Sequence, residues 1–357
     1  MKLLVISLCT QGVMREHFIY YCKRFAKINQ LYCITNNNVT NEELEAIETL
    51  NISYGRSDPL GYFSLTKLRR MKDFIRRIDP DIVYVFTHHA TSILIARFLS
   101  KYRLIYQVHD PNPHEGVGLI TRIILSTQLK QYSKLADKLV VAGESVKGQV
   151  VELCPYAEDK IVPIPFAVLD NYINDSVKPV DKKVDVFFYG RIEPYKGLDL
   201  LVDAARLIDK NIHVFIAGGG NIREAYPEIG DLPENVILLG FLDNDTLISY
   251  IKASTLIVFP YREASGTMTV CQCCYYGKPL VVSNVGVLPE YAGDSGIVLK
   301  NRDPHELADI IASITGNKEL QRELSENAKT QYDRHFKIEI AINLHQKLFD
   351  NVMSIQK

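Results

Sequence analysis

The 357-residue chain reads as an α/β protein built from two Rossmann-like domains, each a parallel sheet wrapped by helices. Three observations predict this. Apolar runs of strand length alternate with amphipathic runs of helix length, the pattern of parallel strands joined by crossover helices. A polar stretch near the middle breaks the rhythm, which then restarts. The length exceeds what one ordinary core supports and fits about two domains.

In chain order, strand-like runs fall at 2–8, 31–35, 82–86, 104–108, 139–142 and 161–164. Helical patterns near 13–27, 41–50, 65–78, 92–99, 119–134 and 145–153 lie between them. This assigns residues 1–168 to a first domain. Residues 169–183 carry Asn171, Asn174, Asp175, Ser176 and Pro179 and end in Asp181-Lys182-Lys183, a composition expected of a linker. A second domain, 184–335, follows with strands at 184–189, 213–217, 236–239, 256–259, 280–282 and 297–299. Its helices are expected at 198–208, 245–252, 267–276, 304–315 and 318–336, before a last amphipathic helix near 338–353. Ligands of such sheets bind at the carboxyl ends of the strands, so two facing domains form a cleft.

Composition narrows the class. A hydrophobic share of 47% and a charged share of 23% are ordinary for a globular protein, and a formal net charge of −1 argues against a nucleic-acid binder. Seven cysteines are an odd number without a regular framework, which fits a reducing cytosol. Cys271, Cys273 and Cys274 cluster, but no second Cys/His group stands at zinc spacing, so no metal is expected there. Met1-Lys2-Leu3 leads straight into a strand pattern rather than a signal peptide. No run approaches the roughly 18 apolar residues of a membrane span. The expected location is cytoplasmic, with any membrane contact peripheral.

The richest stretch is Tyr189-Gly190-Arg191-Ile192-Glu193-Pro194-Tyr195-Lys196-Gly197, in a strand-to-helix loop. Arg191 offers a planar fork of donors and Lys196 a mobile point charge, a pairing suited to a diphosphate. A second such segment runs Val258-Phe259-Pro260-Tyr261-Arg262-Glu263-Ala264-Ser265-Gly266-Thr267. Where Ser265-Gly266-Thr267 enters a helix, free backbone N–H groups face an anion with the positive helix end behind them. The plain alternative is a Ser/Thr cap.

On these residues the second half resembles the donor domain of the family 4 retaining glycosyltransferases, which have the GT-B fold. The matching pieces are Gly190-Arg191 with Lys196-Gly197, Ala217-Gly218-Gly219-Gly220, Leu239-Gly240-Phe241, Phe259 to Glu263, Tyr276-Gly277-Lys278-Pro279-Leu280-Val281-Val282, and Val285 to Glu290. The likeness spans nearly the whole chain in layout and is strongest over 184–312. It implies two domains facing across a cleft and a C-terminal helix, 336–357, packing back on the first. It also implies a nucleoside-diphosphate sugar, UDP-linked by family frequency, as donor and a glycan or lipid-linked saccharide as acceptor, in surface polysaccharide synthesis. Arg191 and Lys196 would bind the diphosphate and stabilise it as it leaves. Glu263, Ser265, Gly266, Thr267 and Met268 would hold the sugar. Gly190, Gly218, Phe241 and Leu242 would hold the nucleoside. Gly12 resembles the family's first glycine loop.

One departure stands out. The family usually carries two Glu residues eight apart, the second on ribose hydroxyls. Counted back from Gly277, that second position is Gln272; eight before it is Ala264, with Glu263 one step off register. Gln272 is assigned the ribose on this register, because its amide both donates and accepts. A helix residue turned to solvent is the other reading.

In the first half, Val108-His109-Asp110-Pro111-Asn112-Pro113-His114-Glu115-Gly116 follows a strand directly. The resemblance sets His109 against the donor sugar and reacting centre, with Asp110 orienting it or touching the acceptor. A turn-capping His-Asp pair is the alternative. His114 and Glu115 are further acceptor candidates, and His88-His89 are read as loop or cap residues. Residues 65–78 carry an apolar stripe of Leu65, Leu68, Met71, Ile75 and Ile78 among Lys67, Arg69, Arg70, Lys72, Arg76 and Arg77. Two readings stand side by side: a core helix with a solvated basic face, or a surface for anionic lipid.

The expected chemistry is transfer with retention, a leaving phosphate oxygen taking the acceptor's proton. No cofactor is expected, and no metal, because Arg191 and Lys196 supply the positive charge. Two rivals share the architecture. A nucleotide-sugar 2-epimerase would act without acceptor, and a non-catalytic donor-binding subunit would neither transfer nor hydrolyse. A nicotinamide dehydrogenase is disfavoured because Gly-x-Gly-x-x-Gly is not completed at 217–221.

Overall fold

The computed structural model describes residues 1–9, 12–45, 47–53, 64–87, 89–112 and 118–355. His88, His114 and Glu115 lie outside the described residues. The chain divides into two units, Met1–Ile164 with Ala341–Lys357, and Pro165–Ile340.

Unit 1 runs β1 (Lys2–Ser7), α1 (Gly12–Ala26), β2 (Gln30–Asn36), β3 (Glu48–Ile52), α2 (Leu65–Ile78), β4 (Ile82–Val85), α3 (Ala90–Leu99), β5 (Arg103–Gln107), α4 (Leu119–Leu135), β6 (Lys138–Val141), α5 (Glu144–Leu153) and β7 (Ile161–Pro163). The seven strands form one sheet in the order β3-β2-β1-β4-β5-β6-β7. Every pairing is parallel. The central strands are apolar and buried because helices cover both faces of such a sheet.

The helix expected near 41–50 does not form. Residues 41–45 are a turn, and Glu48–Ile52 is an edge strand paired with β2 from Tyr32↔Glu48 to Asn36↔Ile52. The Glu43 carboxylate accepts from the Thr40 amide at 3.0 Å and pairs with Arg15, so the turn is closed by side chains. Pairing satisfies the backbone of the β2 edge, and that tertiary gain outweighs a weak helix propensity. α2 has the expected bounds, with Ser64 Oγ accepting from the Lys67 amide. It buries Met71, Ile75 and Ile78 and leaves Leu65 81% exposed, so its apolar stripe is shorter than the sequence suggested.

Unit 2 runs β8 (Val184–Tyr189), α6 (Leu198–Leu207), β9 (Val214–Ala217), α7 (Ile222–Ala225), β10 (Val236–Gly240), α8 (Asn244–Ala253), β11 (Ser254–Phe259), α9 (Met268–Tyr275), β12 (Leu280–Ser283), α10 (Leu288–Ala292), β13 (Gly296–Leu299), α11 (Pro304–Gly316) and α12 (Lys318–Gln331). Its six-stranded sheet has the order β10-β9-β8-β11-β12-β13, again parallel throughout. The helix expected over 318–336 is α12 followed by a π turn, Tyr332–Phe336.

The polar segment 169–183 is no free linker, because unit 2 clamps it. Lys252 Nζ donates to the carbonyls of Asn174, Asp175 and Val177 at 3.2, 2.9 and 2.8 Å. The Asn174 amide donates to the Tyr276 hydroxyl at 3.0 Å, and the Tyr275 hydroxyl donates to Asp175 at 2.7 Å. A composition typical of linkers here satisfies the end of α8 and one flank of α9.

The last helix, α13 (Ile338–Ser354), joins unit 1 from Ala341 onward. Its His345 is buried against Tyr84, Tyr21, Phe25 and Phe349, and Nδ1 donates to the Ala341 carbonyl at 2.7 Å. Burial pushes the His345 imidazole down to about 4, so it is neutral in the core.

Candidate functional site

The loops after β8, β9 and β10 are laced together by backbone. The Gly190 amide donates to the Ala217 carbonyl, the Ile192 amide to Gly219, and the Gly218 amide to Gly240, at 3.0, 2.9 and 2.8 Å. Gly218 has φ +158, and a Cβ there would sit 1.7 Å from the Gly190 carbonyl oxygen, so only glycine lets these loops touch. Gly197 does the same beside β11: at φ +65, a Cβ would meet the Pro260 oxygen at 2.0 Å. The Arg262 amide donates to the Tyr195 carbonyl at 2.7 Å, which closes the Arg191–Gly197 loop on the loop after β11.

The two cations of that loop differ in setting. Arg191 is 72% exposed; it pairs with Glu193 at 2.9 Å and donates to the Tyr195 hydroxyl at 3.2 Å. Lys196 is half-buried, and its ammonium sits 3.7 Å from the centroid of the Tyr261 ring and 4.7 Å from that of Tyr195. Among the described residues its Nζ makes no hydrogen bond. Burial first, and then the charge of Arg191, push Lys196 down to about 7, against a smaller opposing pull from Glu193.

The N-cap residue of α9, Thr267, makes no side-chain cap. Its hydroxyl lies 2.5 Å from the Thr269 hydroxyl and makes no cap to the helix amides. Thr267 therefore does not act as a plain hydroxyl cap, although it stands at the N-cap position of α9. Glu263 is half-buried in the same loop, next to Ala264, whose carbonyl accepts from the Val287 amide at 3.0 Å. Arg262 turns the other way and pairs with Asp199 at 2.5 Å. Ser265 and Gly266 are half-buried, and Gly266 lies against the Phe166 ring. Phe241 projects from the end of β10 at 83% exposure, and Leu242 beside it is half-buried.

Gln272 is enclosed by protein. It is 3% exposed. Its Oε1 accepts from the Tyr189 hydroxyl at 2.9 Å, and its Nε2 donates to the Tyr172 carbonyl at 2.8 Å. It does not face solvent, and both ends of its amide are hydrogen-bonded to protein groups. The cause is Tyr189, the last residue of β8, whose hydroxyl reaches under α9 and also lies 2.9 Å from the Thr269 carbonyl.

In unit 1, His109 and Asp110 follow β5 at the carboxyl edge of the sheet and are half-buried. His109 Nε2 donates to the Phe86 carbonyl at 2.6 Å. Gly12 opens α1 at φ +52, with nothing within 4 Å of where a Cβ would be. His89 accepts from the Thr91 amide at 3.2 Å and caps α3.

Sequence reasoning gave no role to Tyr195 and Tyr261, the aromatic floor under Lys196. A signal was present, since both lie inside the two stretches that carried the cations. Burial of an aromatic beneath a lysine is not visible in one dimension. The seven cysteines are all free, and Cys271, Cys273 and Cys274 are buried, with burial raising their thiols. Among the described residues, no group of three or more His, Cys, Asp or Glu is placed to hold a metal ion, and no helix is long and apolar enough to cross a membrane.

Comparison with known proteins agrees with this layout. The family described as "Glycosyltransferase Family 4" matches residues 17–168, and "Glycosyl transferases group 1" matches residues 171–331. The O-antigen chain mannosyltransferase C of Escherichia coli is 24% identical over 309 residues, 82% of this chain and 80% of that protein. An uncharacterised glycosyltransferase of Methanocaldococcus jannaschii is 24% identical over 315 residues, 81% of this chain and 79% of that protein. Among solved structures, Anabaena HepE in complex with UDP superposes with a TM-score of 0.78 at 15% identity, covering 99% of this chain and 100% of that one. The lipopolysaccharide outer core galactosyltransferase WaaB, apo form, gives 0.69 at 18%, covering 98% and 100%. Two parallel Rossmann-like sheets, GT-B neighbours and two family matches that together reach from residue 17 to residue 331 place the chain in glycosyltransferase family 4, the group 1 glycosyl transferases, and make it a glycosyltransferase.

Proposed function

We propose that the chain transfers a sugar from a nucleoside-diphosphate sugar, UDP-linked, to a hydroxyl of a glycan or lipid-linked acceptor, with retention of configuration. The observation that carries this is Lys196, an ammonium held in a strand-end loop with no hydrogen bond among the described residues. A half-buried cation without a hydrogen bond is costly unless an anion arrives. A diphosphate meets that need, together with Arg191 on the same loop and the start of α9, where Thr267 makes no side-chain cap. UDP bound to a protein of this fold is a further support.

In this reading the acceptor oxygen bonds to the anomeric carbon on the face the diphosphate leaves, and the carbon–phosphate-oxygen bond breaks. The acceptor's proton passes to a phosphate oxygen. Lys196 and Arg191 donate to the departing phosphates, each charge-assisted bond contributing about 1.5–3 kcal/mol, and their grip grows as charge develops there. Glu263, Ser265, Gly266, Thr267 and Met268 line the sugar. Gly190, Gly218, Phe241 and Leu242 would line the nucleoside, and Gly12 is unit 1's candidate for a phosphate contact. His109 and Asp110, at the carboxyl edge of the unit 1 sheet, are that unit's candidates for the reacting centre and for the acceptor. Positive charge from Arg191 and Lys196 replaces a metal. With Gln272 engaged elsewhere, the ribose is held without the carboxylate typical of the family.

Kinship with an O-antigen mannosyltransferase supports a place in surface polysaccharide synthesis at the cytoplasmic face, where the basic helix α2 would rest on anionic lipid. The test is a donor screen by nucleotide release, with lipid-linked acceptor extract. Release that needs acceptor, and that disappears in the R191A/K196A double variant with an unchanged melting temperature, is the expected result. Near-normal turnover in that variant would sink the assignment. Interconversion of donor without acceptor would make the protein an epimerase, and binding with neither transfer nor hydrolysis a non-catalytic subunit.

A further inference from the structure

We propose that Tyr261 is a positioning residue for the donor diphosphate: its ring is the seat on which the Lys196 ammonium is held, so that the remaining N–H bonds point to the incoming phosphates. This deepens the reading of Lys196 as a diphosphate ligand and rests on it.

Distance comes first. The Nζ–centroid separation of 3.7 Å at Tyr261 is well inside the range in which a ring face attracts a cation. The ring is also fixed. Tyr261 is 1% exposed and meets Phe259, Phe188 and Tyr195 edge-on, with centroids 5.5, 6.4 and 6.4 Å away. Three edge-on neighbours pack the ring that Lys196 covers.

The backbone then fixes the lysine over that face. Gly197 packs on the Pro260 carbonyl and the Arg262 amide donates to Tyr195, so the residues on both sides of Tyr261 are tied to the residues on both sides of Lys196. A lysine stem has four rotatable carbons, and ordering it at the moment of binding would weaken binding. The ring removes that cost by ordering it beforehand. No hydrogen-bond acceptor competes for Nζ among the described residues, so a ring seat leaves its donors for the ligand. Tyr195 supports the arrangement from the other side, with its ring toward Lys196 and its hydroxyl accepting from Arg191.

The Tyr261 hydroxyl meets the geometry of no hydrogen bond, and the polar side chain beside it is Thr269, not Lys196. Lys196 is held by the ring and not by the hydroxyl, so Tyr261→Phe should preserve the seat. UDP is the probe, titrated calorimetrically into wild type, K196M, Y261F, Y261L and the Y261L/K196M double variant, with melting temperatures recorded. K196M is expected to weaken UDP by at least about tenfold. Y261L should weaken it by about fivefold to tenfold and Y261F by less than about twofold. In the double variant Y261L should add nothing to K196M, because its effect passes through that lysine.

Unchanged UDP affinity in K196M refutes the diphosphate reading and the proposal with it. A loss in K196M together with full additivity in the double variant, or with no effect of Y261L, overturns the Tyr261 role and leaves the diphosphate reading intact. Should Y261L fail to fold, phenylalanines carrying increasing numbers of fluorines at position 261 keep the shape while draining the ring face. Affinity falling stepwise with fluorination supports the seat, and a flat or rising series overturns it.

Discussion

Donor binding should take up a proton, and the size of the uptake follows from Lys196. In the free protein its ammonium is pushed down to about 7 by burial and by Arg191, with Glu193 pulling the other way and the Tyr195 and Tyr261 rings beneath it. At about pH 8, roughly one free molecule in ten carries the charge. A diphosphate against Nζ raises that pKa far above 8, so the complex is fully charged. Binding then takes up roughly nine-tenths of a proton, and affinity falls by close to tenfold per pH unit above about pH 8. UDP adds no proton of its own there, since the second ionisation of a terminal phosphate lies near 6. Calorimetric titration of UDP in two buffers with different ionisation enthalpies measures the uptake directly. An uptake near zero at about pH 8, or the same uptake in K196M, would refute the reasoning. The linkage has a counterpart in stability. Because the folded value lies below the ordinary 10.5, the unfolded chain binds more protons between about 7 and 10.5. Through this group, the free protein gains stability as pH rises across that window and loses it as pH falls through about 7.

Gln272→Glu should destabilise the protein, although it restores the residue usual in the family: a carboxylate cannot donate to the Tyr172 carbonyl, and the loss should reach about 1–3 kcal/mol in urea unfolding, without tighter UDP binding. An increase in both stability and affinity would mean that Gln272 does face the ribose. Gly266→Ala should disturb the sugar loop, because a Cβ there lies 2.2 Å from Phe166; an overpacking cost of about 1–3 kcal/mol in thermal melts and a raised KM for donor are expected, and the double variant G266A/F166L should recover part of both. Exhaustive chelation should leave turnover unchanged, and activity lost to chelator and restored by a divalent cation would transfer the diphosphate-neutralising role from Arg191 and Lys196 to a metal.

Much of the fold was legible because its signals are local. Alternating strand and helix periods located almost every element, and α2 was read to its bounds. The exception over 41–50 failed for a non-local reason. A glutamate-rich stretch has helical propensity, but the β2 edge offered backbone pairing that only the assembled sheet supplies. The segment 169–183 failed in the same way, since its polar groups serve Lys252, Tyr275 and Tyr276 far along the chain. At the site, the cations and the glycines that let loops touch could be read directly. Their local spacing in strand-to-helix loops already restricts what they can do.

By itself, then, the sequence determined the α/β class, the two doubly wound sheets and the loops that carry Arg191, Lys196 and Glu263, because period and loop chemistry are properties of neighbouring residues. Only the tertiary structure decided which side chains face outward. Tyr189 reaching under α9 turns Gln272 inward, and Tyr261, arriving from the end of another strand, becomes the floor beneath Lys196. Such pairings join residues roughly 65 to 85 positions apart. They are set by how the strand ends pack, which no local pattern in the chain encodes.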